Sequence, residues 1–161
     1  MICQQLTRVE NPGVEIAMVD DDERWATLAE LVRYDMAEGK RTGHRDLGGD
    51  FIKSMIANYR AKAPDYRFHL TLMNGAAVAH GAMARAPNNM DMIEDLFTQQ
   101  QCRRRGIASA LIAYFDRELR AAGCDAVFLG AMAEEAAKLL YYNLGFRPAM
   151  LTRCWVKKAG T

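Results

Sequence analysis

The residues best suited to chemistry lie in one stretch, Cys102-Arg103-Arg104-Arg105-Gly106-Ile107-Ala108-Ser109. Three guanidinium groups precede a glycine, and a helix pattern follows. From Ile107 the apolar residues recur at Leu111, Tyr114, Phe115 and Leu119, the spacing of one helix face. The first amides of a helix have no intrahelical acceptors, and the N-terminus carries about half a positive charge. Gly106 has no Cβ, so an anion can come close to the backbone there. Arginine adds fork-shaped donors that match phosphate oxygens. The stretch therefore reads as a cradle for a phosphate or pyrophosphate. Its bland alternative is a solvated basic helix start.

Two carboxylates stand just upstream. Glu94 and Asp95 fall on an apolar strand, Met90 to Thr98, that leads into the cradle. Strand alternation would put them on opposite faces, with Glu94 on the side of Leu96 and Thr98. One of them could accept a proton from an amine, and Glu94 is the better placed. A carboxylate merely paired with an arginine is the competing reading. Cys102, beside Arg103, could have a lowered thiol pKa, but no partner base can be located for a nucleophilic role. The run Asp20-Asp21-Asp22-Glu23 is better explained as a helix start, with Asp20 as N-cap and Glu23 closing a capping box, than as a metal site.

These groups need elements to position them. Val14 to Val19 reads as a strand, followed by a helix whose stripe is Trp25, Leu28, Ala29, Val32 and Met36. Glu38 to Asp50, with four glycines and no periodicity, reads as a loop. A second helix begins near Asp50 and should stop before Pro64. Tyr66 to Met73 and Ala76 to Arg85 form a hairpin about Asn74-Gly75, a type I′ turn signal. A plain two-residue turn would set Leu70 opposite Ala79, Phe68 opposite Gly81 and His69 opposite His80, with the imidazoles titrating together. Beyond the amphipathic helix, closed by Gly123, come an apolar strand from Asp125 to Met132 and a short helix from Glu134 to Asn143. Gly145 stops that helix, and Phe146 to Lys158 reads as a last strand.

Composition excludes several classes. The 161 residues are half hydrophobic and a quarter charged with a net charge of +1, as expected for one domain spanning 1–161. No global field recruits nucleic acid or an anionic membrane, and the triple arginine has no second basic cluster beside it. No apolar run approaches the ~20 residues of a membrane span, and the first residues lack signal-peptide character. The four cysteines are scattered without metal-ligand spacing, so no metal site is expected and reduced thiols in the cytoplasm are the default. Walker-type and dinucleotide-binding glycine motifs are absent.

The pattern Arg103-Arg104-Arg105-Gly106-Ile107-Ala108 between strand and helix resembles motif A of the GNAT family of N-acetyltransferases, R/Q-x-x-G-x-G/A. Downstream, Ala137-Lys138-Leu139-Leu140-Tyr141-Tyr142-Asn143-Leu144-Gly145-Phe146 is similar to the family's A-x-x-x-Y-x-x-x-G-F stretch. The detailed likeness covers about residues 91–147. It implies an α/β (α+β) fold, with a mixed, mostly antiparallel central sheet flanked by helices on both faces. It implies that amides of Arg104, Arg105, Gly106, Ile107, Ala108 and Ser109, with Arg103 at the first motif position, hold the pyrophosphate of acetyl-coenzyme A. Leu96, Phe97 and Thr98 would hydrogen-bond the pantetheine arm, and Tyr141 would protonate the leaving thiolate, with Tyr142 as an ordinary aromatic neighbour. The family's frequent asparagine seven residues before that tyrosine is Glu134 here, and Thr98 replaces a frequent valine. The implied activity is acetyl-coenzyme A-dependent transfer to a primary amine of a small molecule or a protein terminus. Homodimers are common in the family. A non-catalytic module that binds acyl-coenzyme A and regulates a partner is the alternative.

Overall fold

In the computed structural model, residues 1–9, 12–41 and 48–153 are described. The elements are β1 (Ile2–Cys3), β2 (Glu15–Met18), α1 (Asp22–Arg41), α2 (Gly48–Lys62), β3 (Tyr66–Met73), β4 (Ala76–Ala84), β5 (Met90–Thr98), α3 (Ile107–Ala121), β6 (Ala126–Leu129) and α4 (Ala137–Asn143). Six strands form one sheet in the order β1-β6-β5-β4-β3-β2. Every pairing is antiparallel except β5 with β6, whose connection carries α3.

Period-two alternation in β4 divides the core. Ala82 belongs with Trp25, Leu28, Leu31 and Val32 of α1 and with Ile52 and Tyr59 of α2. Its neighbour Met83 belongs with Leu111, Ile112, Phe115 and Leu119 of α3. Adjacent residues of a strand point to opposite faces, so α1 and α2 cover one face and α3 the other. Tyr141 of α4 and Leu144, just past its end, join the α3 cluster. The mixed sheet with helices on both faces is as expected.

Several expected boundaries and pairings are corrected. α1 is capped by Asp21, whose Oδ1 accepts the Arg24 amide at 2.8 Å, while Asp20 pairs with the Arg24 guanidinium at 2.6 Å. The helix also runs on to Arg41, into the stretch expected as loop. Residues 42–47 of that stretch lie outside the described residues. The last strand is absent over 148–153, just after Arg147 makes an isolated bridge to Ile2, and 154–158 are outside the description. The short strand β1 takes the sheet edge beside β6 instead. An isolated strand pattern cannot show that another segment already holds its edge.

The hairpin has its type I′ turn, with φ of 53° at Asn74 and 76° at Gly75. A bulge then breaks the register between Thr71 and Leu72. One extra residue in β4, Val78, moves every later pairing by one. His69 therefore pairs with Gly81, Leu70 with His80, and Phe68 with Ala82. The two histidines face opposite sides of the sheet. His69 packs on Tyr114 and Phe115 of α3, with ring centroids at 5.4 and 5.1 Å. His80 lies 5.6 Å from the ring of Phe97, on the α1 side. The expected facing pair does not form.

Candidate active site

The site begins where β5 leaves β6. The two strands pair from Met90 with Ala126 to Ile93 with Leu129, and no further. Glu94 to Thr98 thus keep β4 on one side and have no strand partner on the other. Directly after the last pair comes a second bulge. Ala82 pairs with Glu94 and His80 with Phe97, so Asp95 and Leu96 together stand opposite Gly81. Asp95 has φ of 52°, a left-handed conformation that aspartate adopts more readily than most residues. Gly81 makes room for this arrangement. A Cβ there would lie 2.8 Å from Leu96 Cδ2 and 3.1 Å from Leu111 Cδ2 and Phe115 Cε2.

The bulge overturns the expected alternation. Leu96 turns into the α3 cluster, while Glu94 and Asp95 share the α1–α2 face. Tyr66 donates its hydroxyl to Glu94 Oε2 at 2.9 Å, and Tyr59 of α2 donates toward Asp95. Burial, then the Glu94 hydrogen bond and charge, push the Tyr66 phenol up to about 12. Burial first, then the Asp95 charge, raise Tyr59 as well. Both phenols therefore stay protonated and donate. Asp95 is open to solvent on one side, yet burial of its other side lifts its carboxyl above the usual range, with the Tyr59 hydrogen bond opposing. Neither tyrosine was legible as a site residue in the sequence. Tyr59 fell only within the second expected helix, and Tyr66 at the start of a strand.

Beyond Thr98 the chain forms the cradle. A single 3₁₀ turn, Gln100–Cys102, is closed by Cys102 and Arg103 amides donating to Gln99 and Gln100 carbonyls. Arg104 and Gly106 then take φ of 64° and 78°, and Gly106 becomes the N-cap of α3. A Cβ on Gly106 would meet only Pro12 ring atoms, the nearest at 3.7 Å, so the glycine serves the left-handed turn and leaves the approach open. Among the described residues, none of the amides of Arg104 to Ser109 donates to a backbone carbonyl. Residues 103–106 are all exposed. Unpaired amides around an exposed left-handed turn, at the positive end of a 15-residue helix, fit a pyrophosphate.

The three arginines differ. Arg103 donates through Nε to the Thr98 carbonyl at 2.9 Å and pairs with Glu38 at 2.7 Å. Arg105 rests against the Met73 sulfur at 3.7 Å. Cys102 is a core residue among Val14, Val78, Ala79, Ile107 and Ala110, which removes the nucleophile reading. No group of metal-ligating side chains occurs among the described residues. No helix there is long and apolar enough to cross a membrane.

Tyr141 and Tyr142 separate cleanly. Tyr141 is buried in the same cluster as Ile93 and Leu129, the last pair before β5 and β6 part. Burial, then the charge of Glu135, raise its phenol above the ordinary value, so it is held protonated. Tyr142 is half exposed, with the Arg147 guanidinium 4.2 Å above its ring.

The profile of the acetyltransferase (GNAT) family matches residues 23–146, and the chain belongs to that family. Its fold is shared by solved structures at low identity. One is AAC(6')-Iy, in complex with a bisubstrate analog built on coenzyme A and acetylneamine. It is 18% identical with a TM-score of 0.68, over 91% of this chain and 99% of that one. Glucosamine-6-phosphate N-acetyltransferase from Arabidopsis thaliana is 15% identical, TM-score 0.63, over 90% and 99%. The aminoglycoside acetyltransferase meta-AAC0020 from an uncultured soil metagenomic sample is 14% identical, TM-score 0.66, over 90% and 97%. Among curated proteins, none matches. The chain is an acetyltransferase of this family, with a fold whose neighbours include N-acetyltransferases.

Proposed function

We propose that this protein transfers an acetyl group from acetyl-coenzyme A to a primary amine of a small molecule or protein terminus. The observation that carries the reading is that β5 runs on past the end of β6, through the Asp95 bulge, directly before a loop whose amides donate to no backbone carbonyl among the described residues. Acetyl-coenzyme A would supply an activated thioester; the chain supplies position and proton handling. The open edge at Leu96, Phe97 and Thr98 suits hydrogen bonds to an extended amide chain, as an added strand would make. Amides of Arg104, Arg105, Gly106, Ile107, Ala108 and Ser109 would hold the pyrophosphate, with Arg103 bracing the loop. Holding both reactants supplies a large part of the acceleration.

Glu94 is the proposed base. It sits on the α1–α2 face, and the Tyr66 hydroxyl fixes one of its oxygens at 2.9 Å, leaving the other to take the amine proton. Tyr141 is the proposed acid, because its protonated phenol is buried in the cluster that also holds Ile93 and Leu129, the last pair of β5 with β6. The neighbours named for aminoglycosides and glucosamine-6-phosphate support a small-molecule amine. One domain over 1–161, a cytoplasmic location and a homodimer complete the proposal. An acceptor panel read by thiol release tests it. Turnover above acceptor-free hydrolysis is expected. Tight coenzyme A binding with no transfer to any amine class would instead support a non-catalytic acyl-coenzyme A module.

A further inference from the structure

Tyr34 and Glu38 stand one turn apart on one face of α1, and both reach the chain between β5 and α3. The Tyr34 hydroxyl donates to Gln101 Oε1 at 2.9 Å, and its ring lies 6.2 Å from that of Phe97. Gln101 in turn donates to Gln99 at 2.9 Å. Glu38 Oε1 is 2.7 Å from Arg103 Nη2, while Arg103 Nε donates to the Thr98 carbonyl at 2.9 Å. The Glu38 side chain is only 12% exposed, and its Oε2 is buried with no hydrogen-bond partner among the described residues. An ion pair whose arginine is half exposed, and whose carboxylate keeps one buried oxygen unsatisfied, contributes little net stability. Its effect is to place Arg103.

We propose that Glu38 is a positioning residue for the coenzyme A site, acting through Arg103 on the Thr98 carbonyl. The inference rests on the reading that this site takes coenzyme A. That ligand must satisfy two separate parts of the chain at once, the open strand edge at Leu96 to Thr98 and the amides of Arg104 to Ser109. The Thr98–Arg103–Glu38 brace spans the junction between them and fixes their separation. It also ties the C-terminal half of α1 to the cofactor side of the site.

Titration calorimetry with two probes tests this. One is coenzyme A; the other is adenosine 3′-phosphate 5′-diphosphate, which has the phosphates but no pantetheine arm. Glu38→Ala should weaken coenzyme A about tenfold, a coupling of ordinary size, and leave the truncated probe nearly unchanged. Glu38→Gln, which keeps an acceptor for Arg103, should retain most of the affinity. The double variant Glu38→Ala/Arg103→Ala should bind coenzyme A no more weakly than Arg103→Ala alone. Additive losses, or equal weakening of both probes, would overturn the inference while leaving the cofactor reading intact. A wild-type protein that binds neither probe would overturn both. If Glu38→Ala does not fold, the same cycle run with Glu38→Leu, which removes the acceptor but fills the space, decides, additivity again counting against the brace.

Discussion

Tyr141 and Tyr142 are adjacent and chemically identical, and burial alone separates them: one is enclosed with Ile93 and Leu129, the other carries Arg147 on its face. Tyr141→Phe removes a single oxygen and keeps the ring, so kcat should fall about 10²-fold, the low end for a general acid, with coenzyme A affinity little changed. Tyr142→Phe should be nearly silent in the same steady-state assay. Full kcat in Tyr141→Phe, with chemistry rate-limiting, would leave that residue a core aromatic. The two histidines carry a different test. Burial takes both His69 and His80 down to about 4, below the ordinary value of about 6.5. The unfolded chain then binds protons first as pH falls. Stability is full above about pH 6.5 and drops as pH approaches 4, by up to about 1.4 kcal/mol per pH unit for each ring. Denaturant unfolding across that window should show the slope. Imidazole signals that titrate near pH 6.5 by NMR would contradict the burial. The sequence paired these rings because nothing in it marks Val78 as an extra residue.

At the scale of elements, the strand–cradle–helix unit was legible because its signals are local: apolar run, polar loop, glycine, amphipathic helix. So was the Asn74-Gly75 turn. What stayed hidden were the two bulges, at Val78 and at Asp95, since register depends on how strands meet across the sheet. They decide that Glu94 and Asp95 share a face, that Leu96 points to α3, and that each carboxylate meets a tyrosine from a distant element. The Arg103 pairing was hidden for a different reason: Glu38 lies in a stretch whose glycines read as loop. Gly81→Ala probes the second bulge. The added methyl meets Leu96, Leu111 and Phe115 at their side-chain tips, which can shift, so the cost should be near 1 kcal/mol, at the low end for overpacking. Displacing Leu96 should disturb the open strand edge more than the core. Calorimetry should therefore show a Tm loss of a few degrees, and a several-fold weaker coenzyme A Kd. An unchanged Kd would mean that the Leu96 edge does not touch the ligand.

For the molecule as a whole, a ligand that binds only the folded state raises its stability. Acetyl-coenzyme A at about 100 times its Kd should add roughly 2.7 kcal/mol, seen as a higher Tm. Gly106→Asp puts a side chain and a negative charge at the left-handed N-cap and should abolish that shift while the protein still folds. A shift of undiminished size in this variant would place the phosphates elsewhere. The sheet also has an interior seam, since β6 ends at Leu129, opposite Ile93, while β5 continues to Thr98. Edge strands are ordinarily found at the margins of a sheet, where unpaired amides invite a neighbouring chain. Here such a margin lies in the middle of the strand order, on the half of β5 beyond β6 whose other side is held by β4. A ligand entering the seam would supply the missing rung, and the empty protein should betray it by fast deuterium uptake at those amides of Leu96 to Thr98 that β4 does not engage. Bound coenzyme A should slow that uptake to the pace of the flanking strands.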